Sequence, residues 1–274
     1  MPEPRRLATP GPIALSVRNA VGTVEITAAE VDTTVVTVTP LSDSSEAREL
    51  ADRTTVELSP DRRRLAVHVP ERHRVFSAGR SAVAVAVTVP AGSTAITHTA
   101  SASTTCLGTL RELKAHTASG DIHAAHVADR LHVHGASGRV EIGTAGTVDV
   151  HTASGAIAVN RVTGDARLHT GSGRISVGVA EASVRVRSGS ADAVIGSVQT
   201  GAIELVTGSG NLRVGVAAGA VARLDLVSAG LVRSELAIDD DRPAGGAALT
   251  IRARSGSGNI VITKATKVRP EPAV

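Results

Sequence analysis

Five histidines recur at one position of a repeating phrase: His98, His116, His134, His151 and His169, with Arg187 next in the series. Imidazole is the side chain whose charge changes between about pH 5 and 8, and its neutral form is a good ligand for Zn²⁺, Ni²⁺ and Cu²⁺. Histidines stacked in neighbouring layers can share a transition-metal ion, or form a polar ladder whose charge responds to pH. Charging one ring disfavours charging the next, so folded pKa values below the ordinary 6.5 or so are expected. A second polar series stands two residues earlier: Lys114, His132, Asp149, Arg167, Arg185 and Glu204. Strand parity turns both series outward.

Other reactive types are arranged less suggestively. Thr99, Thr117, Thr152, Thr170 and Thr207, with Ser188, form a hydroxyl column beside glycine-rich turns. Hydroxyl-to-backbone bonds that stabilise those turns account for it. Asp121 and Asp192 follow turns of non-adjacent repeats, Asp149 lies on the first strand of its repeat and Asp165 in a variable loop. No two form the close pair that glycoside hydrolysis uses, and there is no tryptophan or tyrosine to stack on a sugar. Ser119 and its equivalents are repeated turn residues with no base or orienting acid attached to any one of them. Cys106 is the only cysteine. It reads as a small buried apolar residue and excludes intrachain disulfides and cysteine-built metal sites.

These residues are positioned by a repeat. HTASGDI from His116 returns as HGASGRV from His134, HTASGAI from His151, HTGSGRI from His169, VTGSGNL from Val206 and RSGSGNI from Arg254. The equivalent serines from Ser101 to Ser209 are spaced 18, 18, 17, 18, 18 and 19 residues apart. Such regularity marks stacked coils. Before each turn the inward positions carry pairs such as Leu131 and Val133, Val148 and Val150, or Ile203 and Leu205. After it they carry Ile122, Val140, Ile157, Ile175, Leu212 and Ile260. The glycine after the serine, as at Gly120 or Gly173, is expected to need positive φ. A propeller blade requires about forty residues, and a left-handed hexapeptide helix would place an aliphatic residue every six, where Ala128 and His134 follow Ile122. The expected fold is therefore all-β: a parallel β-helix of about 18-residue coils, right-handed by the general crossover preference, behind a β-rich N-terminal segment.

Upstream, period-two alternation predicts strands in IALSVRN, VGTVEITA and TTVVTVTP, then in TTVELSP, RRRLAVHVP and SAVAVAVTVP. Ser42 to Arg53 is the one helical stretch, capped by Ser42 or Ser44, with Ala47, Leu50 and Ala51 on its apolar face. Asp61 to Arg64 reads as a solvated hairpin turn and Glu71 to Arg80 as a loop. Residues 1–90 are expected to cap the solenoid, 91–265 to form the repeats and 266–274 to be a disordered tail. Near the end, LDLVSAGLV shortens one turn and Ile238 to Gly246 is inserted as a surface loop, before a last coil closes at Ile251 to Thr263.

Charge is balanced, with 29 Lys and Arg against 26 Asp and Glu and a net of +3. Without a concentrated basic patch or aromatic stacking platforms, nucleic acid is not an expected partner. No apolar run reaches the eighteen residues of a membrane span, and Ile13 to Val17 is too short for a signal-peptide core. No membrane insertion and a cytoplasmic location are expected.

VRNAVGTVEI, LAVHVP, VAVTVPAG and the SGDI and GSGNI coils together resemble the bacterial β-strand-repeat putative adhesins, the domain of unknown function 4097. The resemblance covers nearly the whole chain. It implies a β-helix behind a β-rich segment and brings no catalytic residues. The expected function is a non-enzymatic scaffold or binding module, without cofactor, that contacts a protein or cell-surface polymer. A carbohydrate-active β-helix enzyme is the alternative.

Overall fold

A computed structural model describes residues 3–70, 82–236 and 249–265, which contain twenty-two strands and one helix. The expected loop at 71–80, the insertion at 238–246 and the tail from 266 lie outside the described residues. The chain divides into two compact units, Met1–Gly143 and Thr144–Val274. Both are built of parallel coils.

In the second unit the first-strand column runs from Val148, paired with Ala166, to Val184 and then Ile203. The second column runs through Ile157, Ile175, Ala193 and Leu212. Every pairing in both columns is parallel, so residues of one type stack on their equivalents and the aliphatic columns expected from the sequence close into a core. Val150, Leu168, Val186, Leu205, Ile157 and Ile175 are all buried. A β-helix made this way needs no large side chains, because each layer is only one strand spacing thick, about 4.8 Å.

The last coil departs from chain order. Leu249–Ser255 pairs with Gly201–Thr207 on one side and with Ala222–Ser228 on the other. Ile260–Lys264 likewise lies between Leu212–Val216 and Val232–Ser234. The coil that is last in sequence is thus inserted beneath the one before it, where a simple sequential ending was expected. An amide ladder records the same order: Asn211 N donates to Asp192 Oδ1, Asn259 N to Asn211 Oδ1, and Leu231 N to Asn259 Oδ1.

The first unit interlaces at its beginning in the same manner. Ala14–Asn19 pairs with Arg64–His68 and with Thr94–Thr99. Gly22–Ala29 pairs with Val83–Pro90 and with Ser103–Thr117. Parallel stacking therefore already includes the first coil of the chain. Its outer layer is covered by antiparallel strands, Thr33–Pro40 on Val83–Pro90 and Thr55–Leu58 on Arg64–His68. The helix Ser45–Asp52 begins where expected: the Ser44 hydroxyl accepts from Ala47 N, and Ala47 and Leu50 are buried. The hairpin at Asp61 turns through Arg62, which takes positive φ.

The corners explain the repeated phrase. Thr170 Oγ1 accepts from Gly173 N at 3.1 Å and donates to the carbonyl of Gly155 in the coil below. Thr207 and Ser255 repeat both contacts. Each of these hydroxyls therefore closes its own turn and ties it to the preceding coil. The glycines do not serve the purpose expected of them. None of Gly120, Gly138, Gly173, Gly210 or Gly258 has positive φ. A Cβ at Gly173 would stand 2.0 Å from the carbonyl oxygen of Gly155, and one at Gly120 equally close to that of Ala102. The requirement is close approach of stacked backbones, not handedness.

Packing of this kind separates inner from outer positions. Ile157→Ala leaves a void in an aliphatic layer and should cost about 2–4 kcal/mol in denaturant melts, whereas exposed His151→Ala should cost less than about 1 kcal/mol. Equal losses would contradict the assigned parity. At the corner, Gly173→Ala should cost about 3 kcal/mol or more by forcing two backbones apart. Gly11→Ala, where nothing lies within 4 Å, should stay within about 0.5 kcal/mol.

Candidate functional site

The outward face of the first-strand column carries the polar series. In the first unit the register sets His68 beside Arg18, Arg18 beside His98, His98 beside His116 and His116 beside His134. The three expected histidines of this unit are therefore neighbours in one column, and the column is longer than expected. Arg18 and His68 belong to it because their coils are stacked next to Thr94–Thr99. Only the interlaced topology places them there, so the repeat phrase gave no sign of them.

The rings are close. His98 and His116 stack face to face with centroids 4.9 Å apart and planes 5° from parallel. His116 also approaches His134 and His132, each at 6.3 Å, with tilted and edge-on geometry. Arg18, His98, His116 and His134 line a shallow depression of about 260 Å³, floored by the corner residues Asn19 to Ala20, Thr99 to Ala100 and Thr117 to Ala118. Asn19 is buried and fixes the first of these corners by donating to the carbonyls of Thr23 and Val83.

His98 and His116 are held toward neutrality. Partial burial lowers the His98 pKa from its ordinary 6.5, with the charges of Arg18 and Lys114 adding to the effect. His116 is lowered by burial first, then by His98, Lys114, His132 and His134. Mutual repulsion between rings, expected from the sequence as the cause, is real but second to desolvation. The metal chemistry meets a geometric condition here. Each imidazole lone pair lies in its own ring plane, so the parallel His98/His116 pair does not direct two of them at one ion. The tilted His116/His134 pair has intersecting planes, and two imidazoles supply half of a tetrahedral shell. Among the described residues no group of three His, Cys, Asp or Glu is placed to hold an ion.

In the second unit His151 and His169 lie 5.6 Å apart, and the column continues as Arg187, Val206, Arg254 and Val227. Beside it run Asp149, Arg167, Arg185, Glu204, Arg252 and Asp225. His151 Nε2 lies 3.1 Å from Asp149 Oδ1. Glu204 accepts from Arg185 Nε at 2.7 Å and lies 3.7 Å from Arg187. That hydrogen bond, ahead of the surrounding charge, holds its carboxyl below the usual range. Arginine thus outnumbers carboxylate along this strip.

The remaining candidates are occupied structurally. Asp121 Oδ1 accepts Arg139 N at 2.8 Å, and Asp192 accepts both the backbone and the side-chain amide of Asn211. Cys106 is fully buried, which pushes its thiol up to about 12 and leaves it without thiolate at neutral pH. A larger depression of about 610 Å³ lies against the helix. Its rim sets Arg5 and Arg48 against Glu3 and Asp52, without a repeated group.

The model of the family described as Toastrack DUF4097 matches residues 13–269. Among solved structures, a putative adhesin from Bacteroides fragilis NCTC 9343 is 13% identical, with 96% of this chain and 97% of that one covered and a TM-score of 0.40. A putative cell adhesion protein from Clostridium sporogenes ATCC 15579 is 10% identical, covering 96% and 100%, with a TM-score of 0.32. A putative lipid binding protein from Parabacteroides distasonis ATCC 8503 is 14% identical, covering 94% and 96%, with a TM-score of 0.35. No curated protein matches the chain. No helix among the described residues is long and apolar enough to cross a membrane.

The lowered histidines fix the sign of a pH effect. Well above a pH of about 6.5, His98 and His116 are neutral in both the folded and the unfolded chain. As pH falls through that value the unfolded chain takes up protons that His98 and His116 resist when folded. Their stabilising contribution is thus present above the unfolded pKa and lost as pH falls through the lowered folded values. Thermal melting from pH 7.5 to 5 should show a steeper loss for the wild type than for His98→Gln/His116→Gln. Parallel curves would show that the column does not resist protonation.

Proposed function

We propose that this chain, which belongs to the Toastrack DUF4097 family, is a non-enzymatic binding module whose histidine and arginine face takes an extended acidic partner. The observation that carries the reading is the in-register column Arg18, His98, His116, His134 around one shallow depression. A sheet face that repeats the same cationic or protonatable group in successive layers suits a ligand that repeats its own charge. A carboxylate or phosphate placed there would meet Arg18, which is always charged, and imidazoles that gain charge as the anion offsets its cost. The shared chemistry of the partner is a series of anions, supplied by an acidic protein segment or by a cell-surface polymer. The proposed module performs no reaction, a reading supported by the engagement of Asp121 and Asp192 in corner bonds; a cytoplasmic location goes with the acidic protein segment as partner, an exported one with the cell-surface polymer.

Because binding favours the protonated rings, affinity should rise as pH falls. Fluorescence anisotropy with labelled poly-L-glutamate and with a long-chain polyphosphate, at pH 7.5 and 5.5 and low salt, tests this. The wild type should bind at least one of the two, about tenfold more tightly at the lower pH, and lose that gain in Arg18→Gln/His98→Gln/His116→Gln/His134→Gln. The preferred probe distinguishes carboxylate from phosphate partners. Absence of binding to both, or binding unchanged by the four substitutions, would overturn the reading.

A further inference from the structure

We propose that the outer strand of the second unit, Ala222–Ser228, is an interface through which two copies of this chain pair about a twofold axis. It is the outermost layer of its stack among the described residues. Among the described residues Ala222–Ser228 pairs only with Leu249–Ser255, and Val232–Ser234 only with Ile260–Lys264. The outermost parallel layer of the first unit, in contrast, is covered by antiparallel strands. An uncovered strand edge presents a row of backbone donors and acceptors that pairs readily with another strand.

Apolar surface is concentrated at this edge. Of the eight large hydrophobic residues exposed among the described residues, four lie here: Val221 at 51%, Val227 at 55%, Leu231 at 62% and Val232 at 42%. The inward residues Leu224 and Leu226 are only half-buried, whereas their equivalents one and two layers in, Ile251, Ala253, Ile203 and Leu205, are sealed. Stacked repeats require a cover on the terminal layer. A second copy supplies one without exposing a further edge, because a twofold contact closes on itself.

Charge selects the register. A twofold axis perpendicular to the sheet makes the two strands antiparallel and keeps the inward faces on one side. Centred on Leu224, it sets Leu224 against its own mate, Leu226 against Ala222 and Arg223 against Asp225. Centred on Asp225 it would oppose two carboxylates, and on Arg223 two guanidinium groups. Arg223 has no ion-pair partner among the described residues, and Asp225 has only distant ones, Arg252 and Arg254 at 3.8 Å each. The Leu224-centred pair gives both residues a cross-strand partner of opposite sign.

Sedimentation velocity across a concentration series should find the full-length wild type dimeric. Arg223→Glu and Asp225→Arg should each be monomeric alone, since each opposes like charges across the axis. An equimolar mixture of the two variants should regain the dimer. In the mixed pair the carboxylate introduced by Arg223→Glu faces the guanidinium introduced by Asp225→Arg, and the native Asp225 of one copy faces the native Arg223 of the other. Should a charge variant fail to fold, Leu224→Cys provides a separate test. Opposed Cα atoms in an antiparallel pair lie about 4.5–5.5 Å apart, within disulfide reach. With oxidised glutathione as the oxidant, which leaves as two reduced glutathiones, the two introduced thiols should therefore close an intermolecular disulfide. A wild type that is monomeric at all concentrations, as it would be if residues 266–274 covered the edge, overturns the proposal. So does a dimer that both charge variants leave intact, or a Leu224→Cys chain that does not cross-link.

Discussion

Close backbone contact between stacked coils is the constraint from which the rest of this structure follows. At the corner glycines the carbonyl of one coil comes so near the next that a Cβ would stand about 2 Å away, as at Gly173 and Gly258, while two coils hold alanine, Ala102 and Ala191, at the equivalent position. A hydroxyl three residues earlier, Thr170 or Ser255, holds the contact by bonding its own turn and the carbonyl below. Once corners are stacked so tightly, the strands between them have no freedom to slip. A slip of one residue would turn every inward aliphatic side chain outward. Fixed register then aligns like with like on both faces: aliphatic columns inside, histidine and arginine columns outside. The outward polar face is a consequence of the corner.

The corner also limits what the outer face can be. Identical polar side chains about one strand spacing apart experience one another, and the stacked pair His98 and His116 is held toward neutrality by burial and by neighbouring cations. Beside an anionic ligand such rings would take up protons from solvent, since negative charge placed against them lowers the penalty of protonation. Arg18 contributes a charge that does not titrate away, one layer from His98. The combination joins a constant attraction to a pH-dependent one.

Much of this was legible in the sequence, and the misses have identifiable causes. The aliphatic columns, the hydroxyl caps and the helix start at Ser44 all depend on short-range pattern, which the repeat displays directly. The positions of the corner glycines were equally plain. Their reason was not, because a glycine required by close approach and one required by positive φ look alike in a sequence. The two interlaced ends were invisible for another reason. Nothing local in Leu249–Ser255 distinguishes a coil added at the end from one inserted beneath Ala222–Ser228, and only the long-range pairing decides. Arg18 was missed through the same topology at the other end, since its neighbour His98 belongs to a later coil. Sequence periodicity reports what each layer contains, whereas the order of layers is a property of the whole chain.

The proposed anion face requires His98 and His116 to be at once suppressed in their basicity and ready to gain charge beside an anion. Its most direct test is a proton NMR titration of the imidazole resonances, assigned by single His→Gln variants, in the free protein and with saturating poly-L-glutamate. His98 and His116 should titrate below about 6.5 in the free protein, and both should move upward when the polyanion is added. Titration at the ordinary value, with no change on addition of the polymer, would contradict the proposed anion face.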